Sequence, residues 1–107
     1  MDKRFEVTLQ NDIKTNVWFT TDNNEMKEKI LSLSTPYVIV TDENSLQYSP
    51  DKERTVVLES GEENKNWESL EKILSFALNH SMARDGVFVA IGGGVVCDMT
   101  ALASALF

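Results

Sequence analysis

Three consecutive glycines, Gly92-Gly93-Gly94, join an apolar run, VFVAI, to a helix-like run, VVCDMTALASALF. Glycine lets a backbone approach a ligand with no Cβ in the way, and it permits positive φ. Between a strand and a helix, the amides of such a turn can point at a phosphate near the positive helix end. A lone glycine reads more plainly as a tight turn; three together predict ligand binding. The pattern is not GxGxxG, so it is not the ordinary dinucleotide fingerprint. Asp98 follows four residues after Gly94 and has two uses. Near a helix start its carboxylate is favoured by the dipole. It is equally suited to accept hydrogen bonds from a ribose or another polyol.

Two other segments carry similar groups. In Gly61-Glu62-Glu63-Asn64-Lys65 a carboxylate can hold vicinal hydroxyls, and Lys65 can meet a phosphate or an adenine edge. Residue types alone favour a solvated acidic loop there. Asp42-Glu43-Asn44 has the same ambiguity, because Asp and Asn are turn residues by habit. His80, the single histidine, falls near the end of a predicted helix and reads as a surface or cap residue. A metal site needs three or four converging ligands, which one His and one Cys do not supply. No Ser-His-Asp set can be assembled. Met26, Met82 and Met99 read as packing residues.

The elements that must position these groups follow from periodicity. FEVTLQ puts Phe5, Val7 and Leu9 on one face, and IKTNVWFT follows the turn-favouring Asn11-Asp12, which predicts an antiparallel strand pair. NEMKEKILSL spaces Met26, Ile30 and Leu33 as a helix behind Asp22-Asn23-Asn24, with Pro36 ending it. YVIVT (37–41), RTVVLES (54–60) and VFVAI (87–91) are short apolar runs of the kind buried in parallel sheets. Between the last two, a helix opens at Lys65 or Asn66 and carries Trp67, Leu70, Leu74, Ala77 and Leu78 on one face. Asp85-Gly86 is a turn. Strands alternating with helices predict an α/β layer with a mostly parallel sheet. In such sheets ligands bind beyond the carboxyl ends of the strands, where all three loops leave.

With 107 residues there is room for one small domain, and an apolar fraction of 42% fits a folded chain. No apolar run approaches ~18 residues, so no membrane partner is expected. The start, MDKRFEVTLQ, is not a signal peptide, and the single Cys97 forms no internal disulfide; the chain reads as cytoplasmic. A net charge of −7, from 17 acidic and 10 basic residues, disfavours nucleic acid. It is also a poor balance for holding a phosphorylated substrate alone.

Taken together the loops resemble one family. VFVAIGGGVVCDMTALASALF resembles the glycine-rich segment of the 3-dehydroquinate synthases, the second enzymes of the shikimate pathway. VIVTDEN resembles that family's first nucleotide-facing loop, and VLESGEENKNWESLEKIL its Gly-Glu-x-x-Lys loop and following helix. The related iron-dependent alcohol and glycerol dehydrogenases carry GGGSxxD instead. Here Val95 stands in place of that Ser, and Thr100-Ala101 in place of their Ala-Lys. Cys97 stands where synthases commonly have Gly.

The resemblance implies a Rossmann-like α/β fold, residues 1–107 being an incomplete N-terminal NAD-binding domain. It implies Asp42 and Asn44 near the adenosine, and Glu62 and Lys65 on the adenosine ribose and its neighbours. It further implies Gly93, Gly94 and Val95 on the pyrophosphate through backbone amides, and Asp98 near the nicotinamide ribose. The family's lyase reaction acts on a phosphorylated seven-carbon sugar acid with NAD and a divalent metal, zinc or cobalt. The metal ligands, the substrate's Lys and Arg groups and a homodimer are expected only of the full-length enzyme. No catalytic or metal-binding residue is expected in this chain, which would be inactive alone. TALASALF has no C-cap and is apolar nearly all round, which reads as a cut within or after a helix, exposing Leu102, Leu106 and Phe107 to self-association. Another sugar-phosphate cyclase, a metal-dependent dehydrogenase and a non-catalytic nucleotide-binding module remain as alternatives.

Overall fold

The computed structural model describes the backbone of residues 2–8 and 14–19 and the whole of residues 22–83 and 85–107. It is an α/β chain with a three-stranded, all-parallel sheet and three helices. Strands β1 (Asp2–Thr8) and β2 (Lys14–Phe19) pair antiparallel in a separate two-stranded sheet. The expected Asn11-Asp12 turn, and the side chains of Phe5, Val7 and Leu9, lie outside the described residues.

Helix α1 (Asn23–Leu31) begins where Asp22 accepts hydrogen bonds from the amides of Asn24 and Glu25. It ends before Pro36 is reached. Ser32 caps it, its Oγ donating back to the Lys29 carbonyl at 2.8 Å. A serine that bonds the preceding turn competes with the helix ladder, and so it stops the helix earlier than the proline would.

The parallel sheet consists of β3 (Tyr37–Asp42), β4 (Thr55–Leu58) and β5 (Val87–Ile91), in the order β4-β3-β5. The central strand is β3, with every residue from Val38 to Asp42 buried. Helix α2 (Trp67–Asn79) follows β4, and α3 (Gly94–Leu106) follows β5. Leu70, Ile73 and Ala77 of α2, and Val96, Met99 and Ala103 of α3, close over Val38, Val40, Val56 and Leu58. Burying these side chains stabilises the layer by roughly 1.5–3 kcal/mol per large aliphatic residue.

Two expectations about burial need correction. VFVAI is half-buried, with Ala90 exposed, because β5 is an edge strand that pairs with β3 alone among the described residues. The inward face of α2 runs through Leu70, Ile73 and Ala77; Trp67 and Leu78 are 77% and 70% exposed. Both lie off the stripe that a period of 3.6 residues presents to the sheet.

At the amino ends of the strands, Arg54 locks the layers. Its Nε donates to the Tyr37 carbonyl and its guanidinium nitrogen to the His80 carbonyl, each at 2.8 Å. The Tyr37 hydroxyl donates to Asp51 at 2.7 Å, and that bond, with burial, pushes the phenol above its usual value. His80 is the C-cap of α2 and stacks on Phe76, with its Nδ1 2.8 Å from the Phe76 carbonyl. It is thus a cap residue at the end of the molecule opposite the three loops. No helix among the described residues is long and apolar enough to cross a membrane.

Candidate functional site

Because the three strands are parallel, their carboxyl ends lie at one end of the sheet, and the three polar loops leave side by side. The connection from β3 runs out to β4, whereas β5 is reached by crossing to the other side. The loops after β3 and β5 therefore part at a topological switch point, where open α/β sheets form a crevice.

The loop after β3 is closed by its own first residue. Asp42 is 8% exposed and turns its Oδ1 onto the amides of Asn44 and Ser45, at 3.1 and 2.9 Å. That carboxylate is engaged in holding the loop. Asn44 reaches outward, its Nδ2 donating to the Ser60 Oγ at 3.3 Å. Glu43 accepts from the Ser60 amide, at 3.0 Å to its nearer oxygen, and from the Ser60 hydroxyl. The Ser60 hydroxyl holds the Glu43 carboxyl below the usual carboxylate range. The resemblance points to Asp42 and Asn44 here, whereas residue types leave this loop ambiguous; the Glu43–Ser60 tie is not legible in the sequence, because its two halves lie 17 positions apart.

The loop after β4 turns at Gly61, whose φ of +113° puts it in a region that side chains rarely adopt. A Cβ there would lie 2.6 Å from the Glu63 carboxylate. A single 3-10 turn, Glu62–Asn64, follows, and Asn66 caps α2 by accepting from the Ser69 amide at 3.0 Å. Glu62 is exposed. Lys65 reaches across to α3, where its Nζ donates to Asp98 Oδ2 at 2.8 Å. The Asp98 hydrogen bond and charge, with Glu62 nearby, hold the ammonium above its usual range.

The glycine turn completes the set. Gly92 packs closely, since a Cβ on it would lie 2.9 Å from Val96 Cγ2. Gly93 and Gly94 are different: a Cβ on either meets nothing within 4 Å. Gly93 is the N-cap of α3 and brings no side chain to its first turn, so the amides of Gly94, Val95 and Val96 are left to outside acceptors. Val95 is half-buried. Asp98 lies in the second turn, beyond the reach of those amides, and its partner is Lys65.

Next to the ion pair, a hollow of about 260 Å³ opens between α2 and α3. Lys65, Asn66 and Asp98 supply its polar lining, and Trp67, Leu70, Met99 and Leu102 its apolar one. Gly93 and Gly94 are not among its lining residues. Among the described residues no three His, Cys, Asp or Glu side chains are grouped to hold a metal ion. What the three loops bring together is a set of backbone amides, carboxylates and one ammonium.

Residues 55–107 match the family model described as 3-dehydroquinate synthase N-terminal. The chain is 49% identical to the 3-dehydroquinate synthase of Shewanella frigidimarina over 53 residues, covering 50% of this chain and 15% of that protein. Against the 3-dehydroquinate synthase of Helicobacter pylori it is 44% identical over 54 residues, or 50% of this chain and 16% of that protein. The 3-dehydroquinate synthase of Francisella tularensis is 49% identical over 55 residues, with 50% and 15% covered. The chain thus spans about one-sixth of the length of the curated relatives it matches.

Proposed function

We infer that this chain, which belongs through residues 55–107 to the 3-dehydroquinate synthase N-terminal family, is the NAD-binding part of such an enzyme. The observation that carries the reading is the open glycine turn. Gly93 and Gly94 face free space at the uncapped start of α3, where a Cβ would meet no protein atom within 4 Å. A pyrophosphate suits that position, since backbone amides and the positive helix end both favour anionic oxygen.

Gly93, Gly94 and Val95 would hold the pyrophosphate. Asp98 would accept hydrogen bonds from the nicotinamide ribose, and Glu62 and Lys65 would serve the adenosine ribose. Asn44, with Asp42 closing its loop, would border the adenosine. These residues fit a dinucleotide as a set of amides, carboxylates and one ammonium gathered at one sheet end. The order β4-β3-β5, second-first-third along the chain, is that of an open doubly wound parallel sheet of the flavodoxin-like kind, which obeys the same rule of binding at the strands' carboxyl ends as a Rossmann sheet.

In the whole enzyme the proposed reaction converts 3-deoxy-D-arabino-heptulosonate 7-phosphate to 3-dehydroquinate and phosphate. Bound NAD would supply the reversible oxidation of a ring alcohol, as hydride acceptor and then donor. The residues described here bind and orient the cofactor. Zinc or cobalt, and the groups that hold the phosphorylated sugar acid, would come from outside residues 1–107. On this reading the chain alone is inactive, and the full-length protein is a cytoplasmic homodimer.

An NMR titration of the chain with NAD tests the assignment. Saturable shifts of the Gly93, Gly94 and Val95 amides are expected. Asp98→Ala should weaken binding by about tenfold, the loss of one charge-assisted hydrogen bond, and Gly94→Val should weaken it by filling the cradle. Unmoved glycine amides at millimolar NAD, in a chain that is folded, would remove the reading.

A further inference from the structure

Lys65 and Asp98 lie 33 positions apart on different elements, yet they meet at 2.8 Å. Lys52, Arg54 and Lys72 each hold a backbone carbonyl. Lys65 instead holds a carboxylate, and it is a carboxylate that does not serve its own helix, because Asp98 lies beyond the first turn of α3. Both side chains keep about half their surface in water, at 44% and 58%. Water and salt compete for both partners of so exposed a pair, which makes it weak and exchangeable. The two groups also stand together on the wall of the hollow between α2 and α3.

The proposed roles of these groups conflict with this contact. A carboxylate aimed at ribose hydroxyls and an ammonium aimed at nucleotide oxygens cannot fully serve a ligand while bonded to each other. We propose that the Lys65–Asp98 bridge is a self-inhibitory clasp. It holds the two groups against one another until a dinucleotide supplies hydroxyls to Asp98 and an oxygen acceptor to Lys65. Without cofactor the clasp ties the loop after β4 to α3; cofactor entry releases that tie. The inference rests on the NAD reading above.

The test is a nuclear Overhauser measurement on the 107-residue chain, between the Lys65 ε-methylene and the Asp98 β-methylene, without and with saturating NAD. The cross-peak is expected without NAD and is expected to vanish as the Gly93 and Gly94 amides shift. A cross-peak that persists while those amides shift overturns the clasp and leaves the NAD reading standing. A cross-peak absent before NAD is added overturns it as well. Glycine amides that never shift defeat the NAD reading itself, and the clasp with it.

Discussion

Gly92, Gly93 and Gly94 are neighbours with separate tasks. Gly92 lacks a side chain because Val96 occupies the space, 2.9 Å from where a Cβ would lie. Gly93 and Gly94 have no such neighbour. Gly92→Ala should therefore lower the free energy of unfolding by about 1–3 kcal/mol, the range for overpacking. Gly93→Ala should change it by less than about 0.5 kcal/mol, as open positions do. Urea denaturation of the two variants decides this, and equal losses would contradict the division. Sequence shows the three glycines as one feature; it cannot divide them, because the division depends on where α3 brings Val96. The same limit hid Ser60, whose amide and hydroxyl meet Glu43 only after two strands have paired.

The elements themselves were more legible than their burial. Asn66 caps α2 and YVIVT is the buried central strand, both readable from local pattern. The half-burial of β5 was not, since the sheet's strand order decides which apolar strands are covered on both edges, and neither was the exposure of Trp67, which lies off the stripe that α2 turns to the sheet. The end of α2 shows a further local feature that composition does not announce. Ser81 sits at φ 58°, in the left-handed region, just after the His80 cap. The Met82 amide then bonds back to the Ala77 carbonyl at 3.2 Å, and Met82 is buried there. This is a position for glycine, since a Cβ in that conformation costs roughly 1–2 kcal/mol. Ser81→Gly is expected to raise stability by about 1 kcal/mol, somewhat offset by the greater freedom of glycine in the unfolded chain. A thermal midpoint that falls in this variant would mean that the serine contributes something the backbone geometry does not reveal.

In the whole molecule, the candidate site depends on three parallel strands ending together, so anything that loosens the layer also disperses the loops. Binding and folding can then be confused, and a core substitution separates them. Ile73 is fully buried between α2 and the sheet. Ile73→Ala should cost about 2–5 kcal/mol, a large share of the 5–15 kcal/mol typical of a domain. Ile73 belongs to the apolar cluster under the sheet, so on the NAD reading the folded fraction should keep its affinity for the cofactor. A ligand that binds only the folded state at about 100 times its Kd returns roughly 2.7 kcal/mol. The Ile73→Ala chain should thus have a lower thermal midpoint that NAD raises. Gly94→Val should behave in the opposite way, with a near-normal midpoint that NAD fails to raise. If NAD raised neither midpoint while it raised that of the unaltered chain, the layer and the loops would be coupled more tightly than their contacts imply. The cofactor would then be reading the geometry of the sheet itself as well as the groups at its end.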